Sequence, residues 1–103
     1  MNSPSHLAIL AAFKRIAPQR ADLVALCFVA EPNLDGLAES DRELLARCVA
    51  LATYATAIRQ ARRSRSAHEV YTANQLLREF NSVDRQHIHA IIRVLNHPDA
   101  HKE

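Results

Sequence analysis

The chain has 103 residues, of which 49% are hydrophobic and 23% charged, which excludes a disordered chain and allows one folded domain with a modest core. Its single glycine argues against a β-sandwich or a β-barrel, because those folds need many turns with positive φ. The formal net charge of +2 arises entirely from residues 59–65, since the parts before and after that stretch each carry one more acidic than basic side chain.

The N-terminal stretch MNSPSHLAILAAF predicts neither a signal peptide nor a membrane anchor. No charged residue precedes its apolar part, and Lys14 and Arg15 follow where a cleavage site would need small residues. No uncharged apolar run elsewhere approaches the roughly 20 residues that a membrane-spanning helix needs. We therefore expect a cytoplasmic protein without membrane contact, in which Cys27 and Cys48 are buried free thiols within apolar segments.

The N-terminal third of the chain predicts two helices. Predicted helix 1 covers residues 4–17 and begins at a proline, which the first helical position tolerates. Its apolar stripe consists of Ile9, Phe13 and Ile16, flanked by Leu10 and Ala17. Predicted helix 2 covers residues 19–30 and contains LVALCFVA, an apolar run that also suits a buried strand. Because no other segment offers a partner strand, we prefer the helix.

Two capping boxes bracket a long predicted helix 3 at residues 41–65. Ser40 and Glu43 form the first box and Ser66 and Glu69 the second, each with the spacing at which hydroxyl and carboxylate satisfy helix-start N–H groups. The apolar positions of this helix are Leu44, Leu45, Cys48, Val49, Leu51, Ala52, Ala55 and Ile58. Since residues 48–58 carry no charge on any face, the pattern predicts a central helix surrounded by others.

The C-terminal part predicts a helical hairpin of residues 67–80 and 83–96. Its predicted buried positions are Val70, Ala73, Leu77 and Phe80 in the first helix and Ile88, Ile91, Ile92 and Leu95 in the second. Ser82 is the predicted N-cap of the second helix, with Asp84 in the first turn. Pro98 ends this helix, and residues 98–103 are a frayed tail. Residues 1–103 thus predict a single-domain, all-α bundle of about five helices around a long central helix.

Four arginines at the end of predicted helix 3 form the most basic stretch of the chain: Arg59, Arg62, Arg63 and Arg65. Cations at a helix C-terminus interact favourably with the helix dipole, so a solvated face explains them without any partner. Guanidinium groups also suit a patch that binds a phosphate backbone or an acidic protein surface. The sequence leaves both interpretations open.

The segment NQLLREFNSVDRQHIHAIIRVL, residues 74–95, resembles the helix-turn-helix of bacterial DNA-binding proteins. In that pattern Leu76 and Phe80 are core positions, Asn81 is the left-handed turn residue, and Val83, Ile88 and Ile91 anchor the second helix. The outward side chains are Arg85, Gln86, His89 and Arg93. The resemblance implies that these four side chains read base edges, since Arg and Gln pair bidentately with guanine and adenine.

Three features of the same segment favour a corner of the helical bundle instead. The turn NSV is one residue longer than the usual pattern, and it contains no glycine. Asp84 lies at the entry of the second helix, where it repels phosphates. Residues 66–103 carry more acidic than basic side chains, whereas a DNA-binding surface is normally basic.

The sequence offers no pattern for catalysis or for metal binding. His87 and His89 are two residues apart and point to different sides of a helix, so they cannot chelate one ion together. His89 and His97 share a face but are two turns apart, too far for one ion. There is no glycine-rich phosphate loop and no nucleophile elbow. We therefore expect no catalytic residues, no metal and no cofactor.

These observations favour a non-enzymatic helical interaction module, such as an adaptor, regulator or inhibitor. It binds a protein partner through a helix face or through the arginines at 59–65. Self-association as a homodimer is a further expectation, because a short five-helix chain with so apolar a central helix leaves one face uncovered. The alternative is a DNA-binding regulator of the helix-turn-helix class that uses residues 74–95.

Overall fold

The computed structural model describes residues 5–29, 31 and 33–97, and this part of the chain is all-helical. Its helices are α1 (His6–Ile16), α2 (Ala21–Leu26), α3 (Glu39–Arg62), α4 (Ala67–Arg78) and α5 (Ser82–Asn96). The long helix α3 is central, because α1, α2, α4 and α5 all pack against it. The predicted all-α bundle around a long third helix is therefore confirmed. The predicted helix start at Pro4, the predicted end at Pro98 and the predicted frayed tail lie outside the described residues.

The core forms where α1 and α5 close against α3. Ala8 and Ala12 of α1 and Ala52 and Ala55 of α3 have no exposed surface, so these two helices approach closely. The largest fully buried side chains fill the remaining space; they are Phe13, Leu23, Ile58, Ile88, Ile91 and Cys48.

Both cysteines are free thiols, although Cys27 is only half-buried. Burial raises the pKa of the Cys48 thiol to about 11, which keeps it in its unreactive neutral form.

The neighbours of α3 cover only one side of it. The predicted stripe of Cys48, Leu51, Ala55 and Ile58 is buried, but Leu44, Leu45 and Val49 are half-buried. Ala50, Tyr54 and Ala57 are exposed on the other side. The uncharged middle of α3 is thus a one-sided core helix, and the prediction that it is surrounded was wrong for its outer face.

The last helix runs parallel to α3. Near the start of both helices Arg47 donates a hydrogen bond to Asp84 over 3.0 Å, and near their ends Arg59 donates to Asn96 over 2.7 Å. The two partners are 37 residues apart in the sequence in both cases, so α3 and α5 advance together.

The fourth helix runs antiparallel to α3. Phe80, just after α4, packs edge-on against Tyr54 with ring centroids 5.0 Å apart. Earlier in α4, Asn74 accepts a hydrogen bond over 3.4 Å from Arg62 at the end of α3. After α4 returns along α3, α5 runs back again and packs against both α3 and α1, which also contact each other, while its remaining side is open.

Two of the predicted helix starts differ from the structure. The N-cap of α3 is Ala38, whose side chain makes no capping bond, so the capping box at Ser40 was wrong. Ser40 already lies within the first turn, because the chain becomes helical at Glu39. The N-cap of α5 is Asn81 instead of Ser82; its side-chain oxygen accepts a bond from the N–H of Asp84 over 2.8 Å. Asn and Ser are about equally good N-caps, so composition could not separate the two neighbours.

In the capping box before α4, the predicted bond to the Ser66 hydroxyl is confirmed, whereas the predicted bond to the Glu69 carboxylate is replaced. Ser66 is the N-cap, and its hydroxyl accepts a bond from the N–H of Glu69 over 3.3 Å. The N–H of Ser66 donates to the hydroxyl of Ser64 over 3.1 Å, which takes the position predicted for the Glu69 carboxylate. Serine hydroxyls readily satisfy nearby backbone N–H groups in this way.

The second helix is much shorter than predicted. It covers only Ala21–Leu26, against a predicted 19–30, and ends in tight turns in which each N–H bonds the third preceding carbonyl. Leu23 is its only fully buried residue, whereas Phe28 and Val29 of the apolar run are exposed. So few tertiary contacts do not hold a longer helix together.

Candidate binding surfaces

Three of the four predicted base-reading residues lie on an uncovered part of α5. Gln86, His89 and Arg93 are exposed, and Arg85 is half-buried. Arg85, His89 and Arg93 follow one another at intervals of four residues, so they form a single row along the helix. This side of α5 is therefore accessible to a partner.

The turn that leads into α5 differs from the helix-turn-helix pattern in two respects. Asn81 has φ −66° and ψ 167°, an extended conformation, so the predicted left-handed turn residue was wrong. Val83 is 53% exposed and does not anchor the second helix, although Ile88 and Ile91 are buried as predicted. Both differences follow from the capping role of Asn81, which requires extended backbone and starts the helix one residue earlier than predicted.

The arginines at the end of α3 have different neighbours. Arg59 is half-buried and bonds Asn96 of α5, whereas Arg62 bonds Asn74 of α4 over 3.4 Å. Arg63 is the C-cap of α3, and Arg65 lies beyond it; both are exposed. The two arginines within the helix are therefore directed to different neighbours.

We use the name basic cluster for Arg85, His89 and Arg93 on α5. Partial burial lowers the pKa of His89, and the positive charges of Arg62, Arg93 and Arg85, in that order, lower it further. Arg62 lies in α3, so its charge acts on this imidazole from a second helix. The sequence places this arginine 23 positions before the nearest member of the row on α5, so this electrostatic interaction is a property of the tertiary structure alone.

No carboxylate neutralises the basic cluster within the described residues. The ion pairs in this part of the chain join Arg20 to Asp22 and Asp41 and Arg47 to Asp84. In the sequence, Asp84 argues against phosphate binding at this helix. Its side chain is only 23% exposed and bonds Arg47 of α3 and the side chain of Asn81. Its charge is therefore compensated on the α3 side of α5.

A second surface is an open groove between α1 and α5, here called the α1–α5 groove. It has a volume of about 570 Å³. Its apolar lining consists of Leu7, Leu10, Ala11, Ala90 and Val94, and its rim of Lys14, Arg15 and Arg93. Leu10 is 45% exposed and belongs to this contiguous apolar lining. The groove thus combines an apolar floor with an entirely cationic rim.

Arg15 is held at one end of this groove. Its Nε–H donates a hydrogen bond to Nδ1 of His87 over 3.2 Å. Burial lowers the pKa of His87, and the charges of Arg15 and Arg47 lower it further against the opposing charge of Asp84. Only a neutral imidazole has an acceptor nitrogen, so the bond from Arg15 and the lowered pKa agree.

The histidines of α5 are separated as their spacing predicts. His87 contacts α1 through Arg15, whereas the charges that act on His89 are those of Arg62 in α3 and of Arg93 and Arg85 in α5. In the described ranges no three His, Cys, Asp or Glu side chains lie close enough together to hold a metal ion. None of the helices described is both long and apolar enough to cross a membrane.

The groove is the surface that sequence reasoning missed. Leu10 was assigned to the flank of the buried stripe of α1, because a helix pattern does not say how far its neighbours reach. One signal was present, since residues 7–13 contain no charged side chain and make the apolar surface of α1 wider than one stripe.

No protein-family model, curated protein or solved structure matches this chain.

Proposed function

We propose that the protein is a non-enzymatic helical interaction module that binds a protein partner in the α1–α5 groove. The observation that carries this proposal is the open apolar floor beneath a rim of Lys14, Arg15 and Arg93. Exposed apolar grooves with polar rims mark interaction sites, and a partner helix is a common occupant. An adaptor, regulator or inhibitor role agrees with such a surface.

The shape and charge of the groove support a protein partner. The small side chains of Ala11 and Ala90 give depth to the floor, while Leu10 offers apolar area that remains in contact with water. Covering this area removes apolar surface from water, which stabilises a complex by about 25 cal/mol for each Å² of apolar surface buried. The cationic rim favours acidic residues around the apolar contact and steers their approach.

Site-specific photocross-linking tests this proposal inside cells. A photoreactive aromatic amino acid at Leu10 is compared with the same group at Tyr71, which is 62% exposed on α4 and remote from the groove. We expect position 10, and not position 71, to give discrete protein adducts. These adducts should disappear when Lys14→Glu and Arg93→Glu are added.

Thermal unfolding of each variant verifies that it is folded before cross-linking is compared. Equal, diffuse labelling from positions 10 and 71 in folded proteins would contradict a protein-binding role for the groove. Discrete adducts that survive reversal of the rim charges would contradict the role of Lys14 and Arg93.

DNA binding is the second candidate function, and one observation supports it. His89 and Arg93 are exposed and Arg85 is half-buried in one row along α5, and the positive charge of Arg62 in α3 acts on His89. If this surface reads DNA, binding to a duplex weakens steeply with salt. Arg85→Ala or Gln86→Ala then removes sequence preference, whereas Arg62→Ala weakens binding to all sequences alike. Fluorescence anisotropy measures both, and the absence of binding at low salt would rule this function out.

We also propose self-association through the outer face of α3. The uncovered face predicted from the sequence is present, with Ala46, Ala50, Tyr54 and Ala57 exposed. Light scattering coupled to size exclusion measures the molar mass. A dimer that Ala50→Glu converts to a monomer supports this contact, and a monomer at high concentration contradicts it.

A further inference from the structure

The α1–α5 groove has the length and the charge of a docking site for one helix. Its lining on α1 runs from Leu7 to Lys14, which is about two helical turns or about 10 Å along the axis. Among the described residues that line it, every charged side chain is a cation, namely Lys14, Arg15 and Arg93. An amphipathic helix with acidic residues beside its apolar face matches both properties.

A hydrogen bond between two helices holds one of these cations at the end of the groove. Arg15 of α1 donates from its Nε–H to Nδ1 of His87 in α5 over 3.2 Å. His87 is half-buried and is not one of the residues that line the groove, so an occupant acts on it through Arg15 and not by covering it. Because Nδ1 accepts this bond, the single ring proton of the neutral imidazole is on Nε2.

Protonation of His87 is incompatible with this contact. An imidazolium has an N–H donor at both nitrogens, so it cannot accept a bond from Arg15, and two positive charges then face each other. The other charged groups that act on His87 are Arg47 from α3, which opposes a further proton, and Asp84 from α5, which favours one. Burial lowers the pKa of His87 in the free protein, and the two arginines lower it further.

We propose that the groove binds an amphipathic helix with an acidic edge, and that protonation of His87 strengthens this binding by releasing Arg15. A protonated His87 repels the guanidinium, whose N–H groups are then all available to a carboxylate of the partner. That carboxylate in turn offsets the positive charge beside the imidazole and stabilises its protonated form. The inference rests on the proposed protein-binding function, since it names the occupant of the same groove and the regulation of its binding.

The direction of the pH dependence follows from linkage. A carboxylate bound at Arg15 raises the pKa of His87 relative to the free protein, so the complex takes up a proton more readily. Binding therefore tightens as the pH falls through the titration range of His87 and is weaker above it, where the bond from Arg15 to the neutral imidazole is intact. The lysine and arginines of the rim keep their charge throughout this range.

Fluorescence anisotropy with two helical peptides tests the coupling on the full chain. The acidic peptide has leucines along one face and glutamates on both sides of that face, and the neutral peptide has glutamine in place of each glutamate. We expect the acidic peptide to bind roughly fivefold more tightly at pH 5.5 than at pH 8, and the neutral peptide to show no such gain. Nuclear magnetic resonance should show that the acidic peptide raises the pKa of His87.

Two histidine variants localise the effect. His87→Asn keeps an acceptor oxygen near the position of Nδ1 but cannot be protonated, so it should lose the gain in affinity at pH 5.5. His89→Gln is the matched control, because it removes the other histidine within α5, which is not the partner of Arg15, and it should keep the gain. Thermal unfolding at both pH values verifies that each variant is folded.

The outcomes separate this inference from the proposed function. Equal affinity of the acidic peptide at the two pH values, or a gain that persists in His87→Asn, overturns the coupling and leaves protein binding in the groove intact. Equal binding of the two peptides overturns the acidic edge. If neither peptide binds, the inference fails, and the cross-linking from position 10 decides the proposed function separately.

Discussion

At the scale of single residues, Arg20 ties the short second helix to the central one. Its guanidinium donates to Asp22 over 3.0 Å and to Asp41 over 2.8 Å, which joins residues before α2 to the first turn of α3. The hydrogen bonds from Arg20 lower the pKa of both carboxyl groups. Asp41 also lies where a negative charge interacts favourably with the helix dipole of α3. Arg20 therefore stabilises the start of α3, where no side chain caps the helix.

The two histidines of α5 make stability depend on pH. Burial and nearby arginines lower the pKa of both His87 and His89 below the ordinary value of about 6.5. The unfolded chain therefore binds protons more readily, and the free energy of unfolding falls as the pH drops through that value. Urea unfolding between pH 8 and pH 5 should show this fall, and His87→Gln with His89→Gln should reduce it. An unchanged fall in the double variant would contradict the assignment.

At the scale of helices, the starts depend on backbone geometry that spacing alone does not reveal. Ser40 and Ser66 both precede a glutamate by three residues, yet only Ser66 is an N-cap. The linker before α3 becomes helical at Glu39, so Ser40 has helical backbone and cannot cap. Ser66 has ψ 116°, the extended conformation that a capping side chain needs.

These two serines give a matched pair of substitutions. Ser66→Ala should lower the free energy of unfolding by about 1 kcal/mol, because the N–H of Glu69 loses its partner. Ser40→Ala should change it by less than about 0.5 kcal/mol, since this exposed residue makes no capping bond. Urea denaturation measures both values. An equal cost at the two positions would show that the capping assignment is wrong.

At the scale of the whole molecule, α5 separates two surfaces of different chemistry. Its α1 side borders the apolar groove, and its uncovered side carries the basic cluster, with Arg93 in both. This arrangement depends on α3 and α1 flanking α5 while α4 turns away along the other side of α3. The same packing decides which apolar residues of α1 are core and which are groove.

Ile9 and Leu10 test this division, since they are neighbours of equal size on α1. Ile9 is 5% exposed and Leu10 45% exposed. Ile9→Ala should lower the free energy of unfolding by about 2–5 kcal/mol through lost burial and a cavity. Leu10→Ala should cost about 1 kcal/mol, because much of its side chain stays in water. Chemical denaturation compares the two, and equal costs would mean that the groove is closed in solution.

The sequence by itself determined that this chain is helical, that its third helix is long, and which faces hold Phe13, Cys48, Ile58, Ile88 and Ile91. These features are local, because a helical period places side chains around one axis and a proline or capping residue limits its length. The tertiary structure alone decided that Arg62 bonds Asn74, that Leu10 borders an open groove, and that Asp84 pairs with Arg47. Those contacts depend on how one helix is rotated and displaced against another, which is set by the packing of many side chains together.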